Sequence, residues 1–596
     1  LSDGKSSTVC SIPDEFDGKP TATISTKLSF VGKVTCIYPG DCATTEGADF
    51  YVDVPERQGE DGSVYAIYSG SSLSKDIQLS AQTALVKVSF EPELEEVESV
   101  KFTFEGANAA GRMKIGQTGT EVVSGTRSVE VTTKDAKEFY FSVLPGTASK
   151  MDIDVNKSDG ICGRKTQTSS STFEAGRLYS LRIDPTTIVP TKEFKGLTFV
   201  STGESTVRLR KYNNPAPITL EYSRNGFTWT QYTIGDPISL SDGEMLMFRA
   251  GKEGNASFTS SDSSYYNFKI SGSVAARGNI MSLLDRSCRE NAMPSYTFTH
   301  LFDGCAGLTE APELPATKLA NGCYRSMFEG CTSLTKAPDL PATELAPYCY
   351  FCMFDGCTSL TEAPELPAAE LYWWCYSYMF EGCTSLVKAP ALPATELAEH
   401  CYSDMFRDCT SLTEAPALPA MELAKSCYDA MFEGCKSLTK APALPATELA
   451  SNCYNDMFRV CTNLIEAPEL PAMKLAKNCY YQMFQGCTSL TKAPDLPAMV
   501  LTEYCYYYMF DGCTSLTKAP DLPATKLVDH CYFWMFNSCT NLSYVKALFT
   551  DKPSDKVTSG WLNGVARTGT FVKNKDATWD VRGDDGIPYG WTVVTE

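Results

Sequence analysis

Cysteine and histidine are the residues in this chain whose number could signal chemistry. Among 596 residues there are 25 cysteines but only three histidines, His300, His400 and His530. A cysteine array reads as a disulfide framework, a metal site or packing, and spacing separates the three. One column of cysteines recurs every 26 residues from Cys305 to Cys539, and a second recurs at the same interval from Cys323 to Cys531. Zinc needs ligands that converge on one point, and an eight-residue spacing repeated along a chain does not converge. The one C-x2-C pair, Cys349 and Cys352, arises because Cys352 falls in a variable, outward column. The columns therefore read as small buried hydrophobes. An exported protein could also bridge them as disulfides. Cys10, Cys36, Cys42 and Cys162 could pair within the first domain, in a pattern the sequence leaves open.

Other candidates for chemistry weigh less. His400 and His530 share a repeat column but lie five coils apart, roughly 24 Å at about 4.8 Å per coil, too far to share a metal or substrate. No Ser/His/Asp or Cys/His grouping offers a nucleophile within reach of a base, so no catalytic residue, metal ligand or cofactor is expected. Asp152-Ile153-Asp154-Val155-Asn156 imitates a calcium loop, but Lys157 stands where glycine is needed, and the alternation reads as a strand. Arg582-Gly583-Asp584 matches an integrin-binding tripeptide, a weak signal at that length.

The repeat that carries the cysteines must position everything else in residues 281–547. A fixed period with no insertion over ten coils is the mark of a solenoid. In Cys323, Tyr324, Met327, Phe328 and Cys331 the apolar positions fall at i, i+1, i+4, i+5 and i+8, which predicts one face of a short helix. Leu334-Thr335-Lys336-Ala337-Pro338 predicts a short strand that stops at its proline. Strand and helix repeated in register give an α/β leucine-rich-repeat solenoid of parallel strands. The residue after the threonine alternates in sign from Glu310 and Lys336 through Glu466 and Lys492, so stacked strands would set each acid between two lysines.

Aromatic residues gather at two places in the outward columns. Tyr348, Phe351, Trp373, Trp374 and Tyr378 form a first patch, and Tyr481, Tyr507, Tyr508, Phe533 and Trp534 a second. Exposed aromatic patches mark protein or glycan contacts. The second patch could instead lie under the C-terminal cap.

Repeats such as Gly330-Cys331-Thr332-Ser333-Leu334 with a preceding Met327-Phe328 resemble the BspA-like leucine-rich repeats of bacterial surface proteins. The unit here is longer than that family's usual repeat and carries extra prolines. The resemblance implies a cell-surface adhesin or host-interaction protein; periodicity alone shows a solenoid. Residues 1–186 alternate as strands. Their Phe139-Tyr140-Phe141-Ser142-Val143-Leu144-Pro145-Gly146 and Phe173-Glu174-Ala175-Gly176-Arg177-Leu178-Tyr179 resemble Bacteroidales-type fimbrillins, which implies a fimbrillin-like β domain. Fimbrillins polymerise by donating a strand, so a pilus tip or accessory role, with pilus subunits as partners, stays open.

Residues 193–280 predict a small β-sandwich capping the first coil, with a type I′ hairpin at Asn225-Gly226. Residues 548–596, with Trp561, Phe571, Trp579 and Trp591, predict a β-rich C-terminal cap. A formal net charge of −20 argues against nucleic acid or an anionic membrane as partner. No apolar run is long enough to span a bilayer. Leu1 in place of Met points to a removed signal or anchor segment, so the chain is expected at the cell surface, lipid-anchored or fimbria-associated, or secreted. Its expected partner is an extracellular protein or glycan, bound without chemistry.

Overall fold

The computed structural model describes residues 51–596 apart from 56, 59–66, 73–75, 117–118, 134–136, 159–160, 192–193, 260 and 289–292. Before residue 51 it gives backbone strands Thr21–Ser25, Val34–Tyr38 and Ala43–Glu46 and the start of Asp49–Val54. Cys10 and Cys42 lie outside the described residues, as does the Cys36 side chain. The chain divides into two compact units: Leu1–Phe194 with Ser223–Thr230, and Lys195–Tyr222 with Gln231–Glu596.

The first unit is built from strands whose apolar residues alternate. Val97–Glu105 runs between Lys150–Lys157 and Ser128–Thr132 in a six-stranded sheet. A three-stranded sheet, Glu138–Val143, Ala84–Phe90 and Leu178–Ile183, shares its core, where the Phe102 and Phe141 rings stack at 4.5 Å. The Asp-rich run lies in strand Lys150–Lys157, where Asp154 pairs with Arg164 and Asp152 accepts from Thr166. The type I′ expectation at Asn225-Gly226 is corrected. That turn needs two left-handed residues, but Gly226 alone has positive φ, while the Asn225 side chain accepts from the backbone N–H groups of Phe227 and Thr228.

In the second unit, strands such as Thr198–Ser201 and Met245–Ala250 form one sheet, and Ser205–Tyr212 and Tyr265–Ser271 belong to another. They share one hydrophobic core with the repeats. Val274–Arg277 pairs in parallel with Leu308–Glu310 of the first coil. Phe268 behaves as though it belonged to a preceding coil: Phe302 stacks on it at 5.5 Å, and the Cys305 thiol donates to its carbonyl at 2.9 Å.

The described residues of the repeats contain no α-helix. Among the described residues the only helical segments are the 3-10 turns Pro185–Thr187 and Ile280–Leu283. The expected short helix is replaced by a chain of tight turns. Met379 and Cys383 donate their N–H to the carbonyls of Tyr376 and Phe380, three residues back, whereas Tyr378, Phe380 and Gly382 donate to Ser403, Met405 and Arg407 of the next coil. A left-handed residue recurs every fourth position, as at Trp374, Tyr378 and Gly382, and breaks any i→i−4 ladder. The physical signal was the exact four-residue spacing of the apolar positions, which an α-helix of about 3.6 residues per turn does not keep. Along Tyr378–Cys383 the N–H groups thus alternate between carbonyls of their own coil and of the next, which satisfies backbone donors without a helix.

The expected strand is also shorter than its pattern suggested. In most coils it shrinks to a single parallel bridge, such as Lys336↔Glu362, Glu362↔Lys388 and Lys388↔Glu414. Proline two residues on removes the next donor. Where proline is absent the strand lengthens: Tyr544–Ala547, Thr570–Lys573 and Thr592–Thr595 form a parallel three-stranded sheet. The alternating charges are in register but do not close. Among the described residues no ion pair within 4 Å joins that column from Lys336 to Lys492; the close pairs lie elsewhere, as Lys318–Glu344 at 2.7 Å and Glu448–Lys474 at 2.8 Å.

Inside, Tyr324 to Tyr532 and Phe302 to Phe536 form two continuous ring stacks, with successive Phe centroids 5.5–5.7 Å apart, as between Phe302 and Phe328 and between Phe380 and Phe406. The hydroxyls of Tyr324, Tyr350, Tyr376 and Tyr402 are buried without a protein partner, and nothing in the structure explains why this column is not phenylalanine. The cysteine columns are buried and unbridged. Each thiol of the first column also donates across coils: Cys357, Cys383 and Cys409 reach the carbonyls of Phe328, Phe354 and Phe380 at 3.1 Å. Burial pushes these thiols up, Cys305 and Cys487 to about 12, which keeps them neutral donors. Cys409→Val, which keeps bulk but removes the donor, should lower stability by about 0.5–1 kcal/mol, and Cys409→Ala by about 1–2 kcal/mol, in urea unfolding. A valine variant as stable as the parent would reduce the column to packing.

Candidate interaction surface on the repeats

Several columns of the tight-turn segment face outward, and their residues change character along the stack. The first aromatic group is brought together as one cluster. Tyr348 lies 4.8 Å from Trp373 and 5.9 Å from Phe351, and Phe351 lies 5.9 Å from Trp374 and 5.5 Å from Tyr378. Most of these rings are half-buried against one another, but Trp373 is 45% exposed and Tyr372 beside it 44%. Tyr372, His400 and Arg325 were missed from the sequence. The signal for Tyr372 was available, since it replaces the alanine that follows leucine in most coils. His400 stacks flat on Trp374 at 4.1 Å, and burial holds it below the ordinary histidine pKa. The Arg325 guanidinium lies 4.5 Å from the Phe351 ring centre and 5.1 Å from that of Tyr348, and pairs with Asp262 at 2.7 Å.

The second group also assembles. Tyr481, Tyr507 and Phe533 stack at 4.8 and 5.1 Å, and Tyr508 stacks on Trp534 at 5.5 Å. Tyr504 and His530, stacked at 4.6 Å, extend it. Gly560 presses on Trp534: its φ is +60°, and a Cβ there would lie 3.0 Å from the indole. This end is closed by tryptophan donors, Trp561 to Gly586, Trp579 to Phe549 and Trp591 to Ala566. Arg582 forms a bridge with Ile587 and pairs with Asp580 at 2.9 Å, and between Arg582 and Ile587 the chain turns through Gly583 and an exposed Asp584.

Between the clusters the surface is polar. A side-chain ladder runs Glu433, Arg459, Gln485, Asp511 and Asn537, with Arg459 donating to Glu433 at 2.7 Å and Gln485 to Asp511 at 2.8 Å. Arg407 stands 3.5 Å from Glu433 and 3.4 Å from Asp404. Several of these acids lose hydration in the stack. Desolvation, then the charge of neighbouring acids, raises Asp355 to about 6 and Glu381 to about 7; desolvation likewise raises Asp429 to about 7 and Asp456 to about 6. Among the described residues no three His, Cys, Asp or Glu side chains are grouped to hold a metal.

The raised carboxyls have a consequence for stability. Folding favours their protonated form, so their contribution is greatest below the unfolded pKa of about 4 and is lost as pH rises through 6 and 7. The melting temperature of the protein should fall between about pH 5 and about pH 8. Glu381→Gln should flatten that slope; an unchanged slope would remove Glu381 from it.

Neither the curated proteins nor the solved structures contain a match to this chain. The model of the BspA type Leucine rich repeat region matches six copies, over residues 321–465, 376–516 and 455–550. The stacked coils described above, with their buried Cys, Tyr, Met, Phe and Leu columns, lie over the same residues, and this part of the chain belongs to the BspA-type leucine-rich repeats.

Proposed function

We propose that the chain is a ligand-binding protein of adhesin type, exposed at the cell surface or secreted, whose leucine-rich-repeat solenoid offers the mid-stack aromatic cluster to an extracellular protein or glycan. The observation that carries this reading is the exposure of Trp373, a ring already packed against Tyr348, with Tyr372 exposed beside it. A preordered aromatic group binds with little loss of side-chain entropy, and tryptophan and tyrosine dominate binding hot spots. The repeat family, a surface protein-interaction family, points the same way. No helix among the described residues is long and apolar enough to cross a membrane. The test is an array of extracellular matrix proteins and glycans probed with the full chain and with Trp373→Ala/Trp374→Ala. The double variant is expected to lose about tenfold or more in affinity for the bound targets, and undiminished binding would remove the cluster from the interface.

A second reading, a pilus tip or accessory subunit assembled through a fimbrillin-like first domain, draws on one observation. Leu178–Ile183 is the edge strand of its sheet, with Leu178 60% exposed, and an open edge can accept another strand. It predicts detergent-resistant ladders of oligomers on electrophoresis without boiling. The adhesin reading expects a single band.

A further inference from the structure

The column beside the mid-stack cluster contains a run of acids with no cation between them. Asp303, Glu329, Asp355 and Glu381 follow one another in successive coils, Asp303 lying 3.2 Å from His300, and the next residue of the column is Arg407. Arg407 reaches Glu381 at 3.8 Å, and among the described residues Glu329 and Asp355 have no ion pair. Everywhere further along the column acids alternate with arginine or amides that neutralise or bond them. The cost of this run is visible in Asp355 and Glu381: burial pushes both carboxyls up, and so does the preceding acid of the column, Glu329 for Asp355 and Asp355 for Glu381.

The aromatic cluster next to these acids already holds a cation on one side. Arg325 lies over Phe351 and Tyr348 at cation–π distance. The other side, at Tyr372 and Trp373, is open. Rings that accept a guanidinium and a row of carboxylates in which only Glu381 has a cation within 4 Å are complementary to the same chemistry. An uncharged glycan would leave the carboxylates unpaired, and a polyanion would be repelled.

We propose that this surface docks an extended basic segment of a partner polypeptide, whose arginine or lysine side chains lie on the rings around Trp373 and pair with Glu329, Asp355 and Glu381. The acids are spaced by about 4.8 Å per coil, so the row spans roughly 10 Å, about three residues of an extended chain. The proposal rests on the adhesin reading and supplies its ligand class.

The test is fluorescence anisotropy of a labelled nona-arginine peptide with the full-length chain at near-physiological salt, beside a labelled glycine–serine peptide of equal length. The variants are Glu329→Gln/Asp355→Asn/Glu381→Gln, Trp373→Ala, and a control, Glu362→Gln/Glu414→Gln/Glu466→Gln, which removes the same charge from the exposed alternating column. The amides keep the size of the acids, and Trp373 is a surface position, so two independent arms probe the site. The first triple variant is expected to weaken nona-arginine binding about tenfold, Trp373→Ala about fivefold and the control less than about twofold. Equal losses in the two triple variants would reduce binding to overall acidity and overturn the proposal. So would full affinity in Trp373→Ala. If Trp373→Ala/Trp374→Ala loses its array targets while the acid variant keeps nona-arginine affinity, the basic ligand falls and the adhesin reading stands. If the tryptophan variants change neither, both fall.

Discussion

The repeat part of this protein depends on one recurring exchange of hydrogen bonds between coils. Alternate backbone N–H groups of the tight-turn segments donate to a neighbouring coil, mostly forward, as Phe380 does to Met405, and each first-column thiol donates back to a phenylalanine carbonyl, as Cys409 does to Phe380. Both contacts hold only if every coil keeps the same length, which is why the period shows no insertion. The Phe carbonyl accepts the N–H three residues on and also the thiol of the next coil, so its two lone pairs are both used. Cysteine fits this position because it is small, apolar and still a weak donor. Burial that suppresses thiolate formation preserves that donor and makes the column poor in redox and metal chemistry.

That constraint also determines what the outward columns can do. Because the backbone exchange fixes the turn segment, residues 26 apart lie directly over one another, and any run of like residues becomes a stripe. Aromatic runs become stacked clusters, as Tyr481, Tyr507 and Phe533 do. Mixed polar runs become the ladder through Arg459 and Gln485, and a run of acids becomes a row at Glu329, Asp355 and Glu381 that meets a cation only at its Glu381 end. Function in such a scaffold is therefore written in the columns the core does not use. The first aromatic cluster keeps an open flank at Trp373, whereas Gly560 covers Trp534 at the second.

Sequence alone determined the period, the buried columns and most residues of both aromatic groups. These rest on side-chain polarity, which is a local property. The tertiary structure decided the rest. A helix was expected over Cys323–Cys331 because apolar residues recur there at helix-like intervals, but the donors went to the next coil, a partner that a single repeat does not contain. The Asn225 turn differed because its side chain competed for the backbone donors. Arg325 and His400 joined the first cluster only when coils stacked, since ring and cation contacts cross from one repeat to its neighbour. The alternating charges were legible as a column, yet their separation as exposed, unclosed pairs was not, because side-chain reach depends on how the coils turn and not on their order.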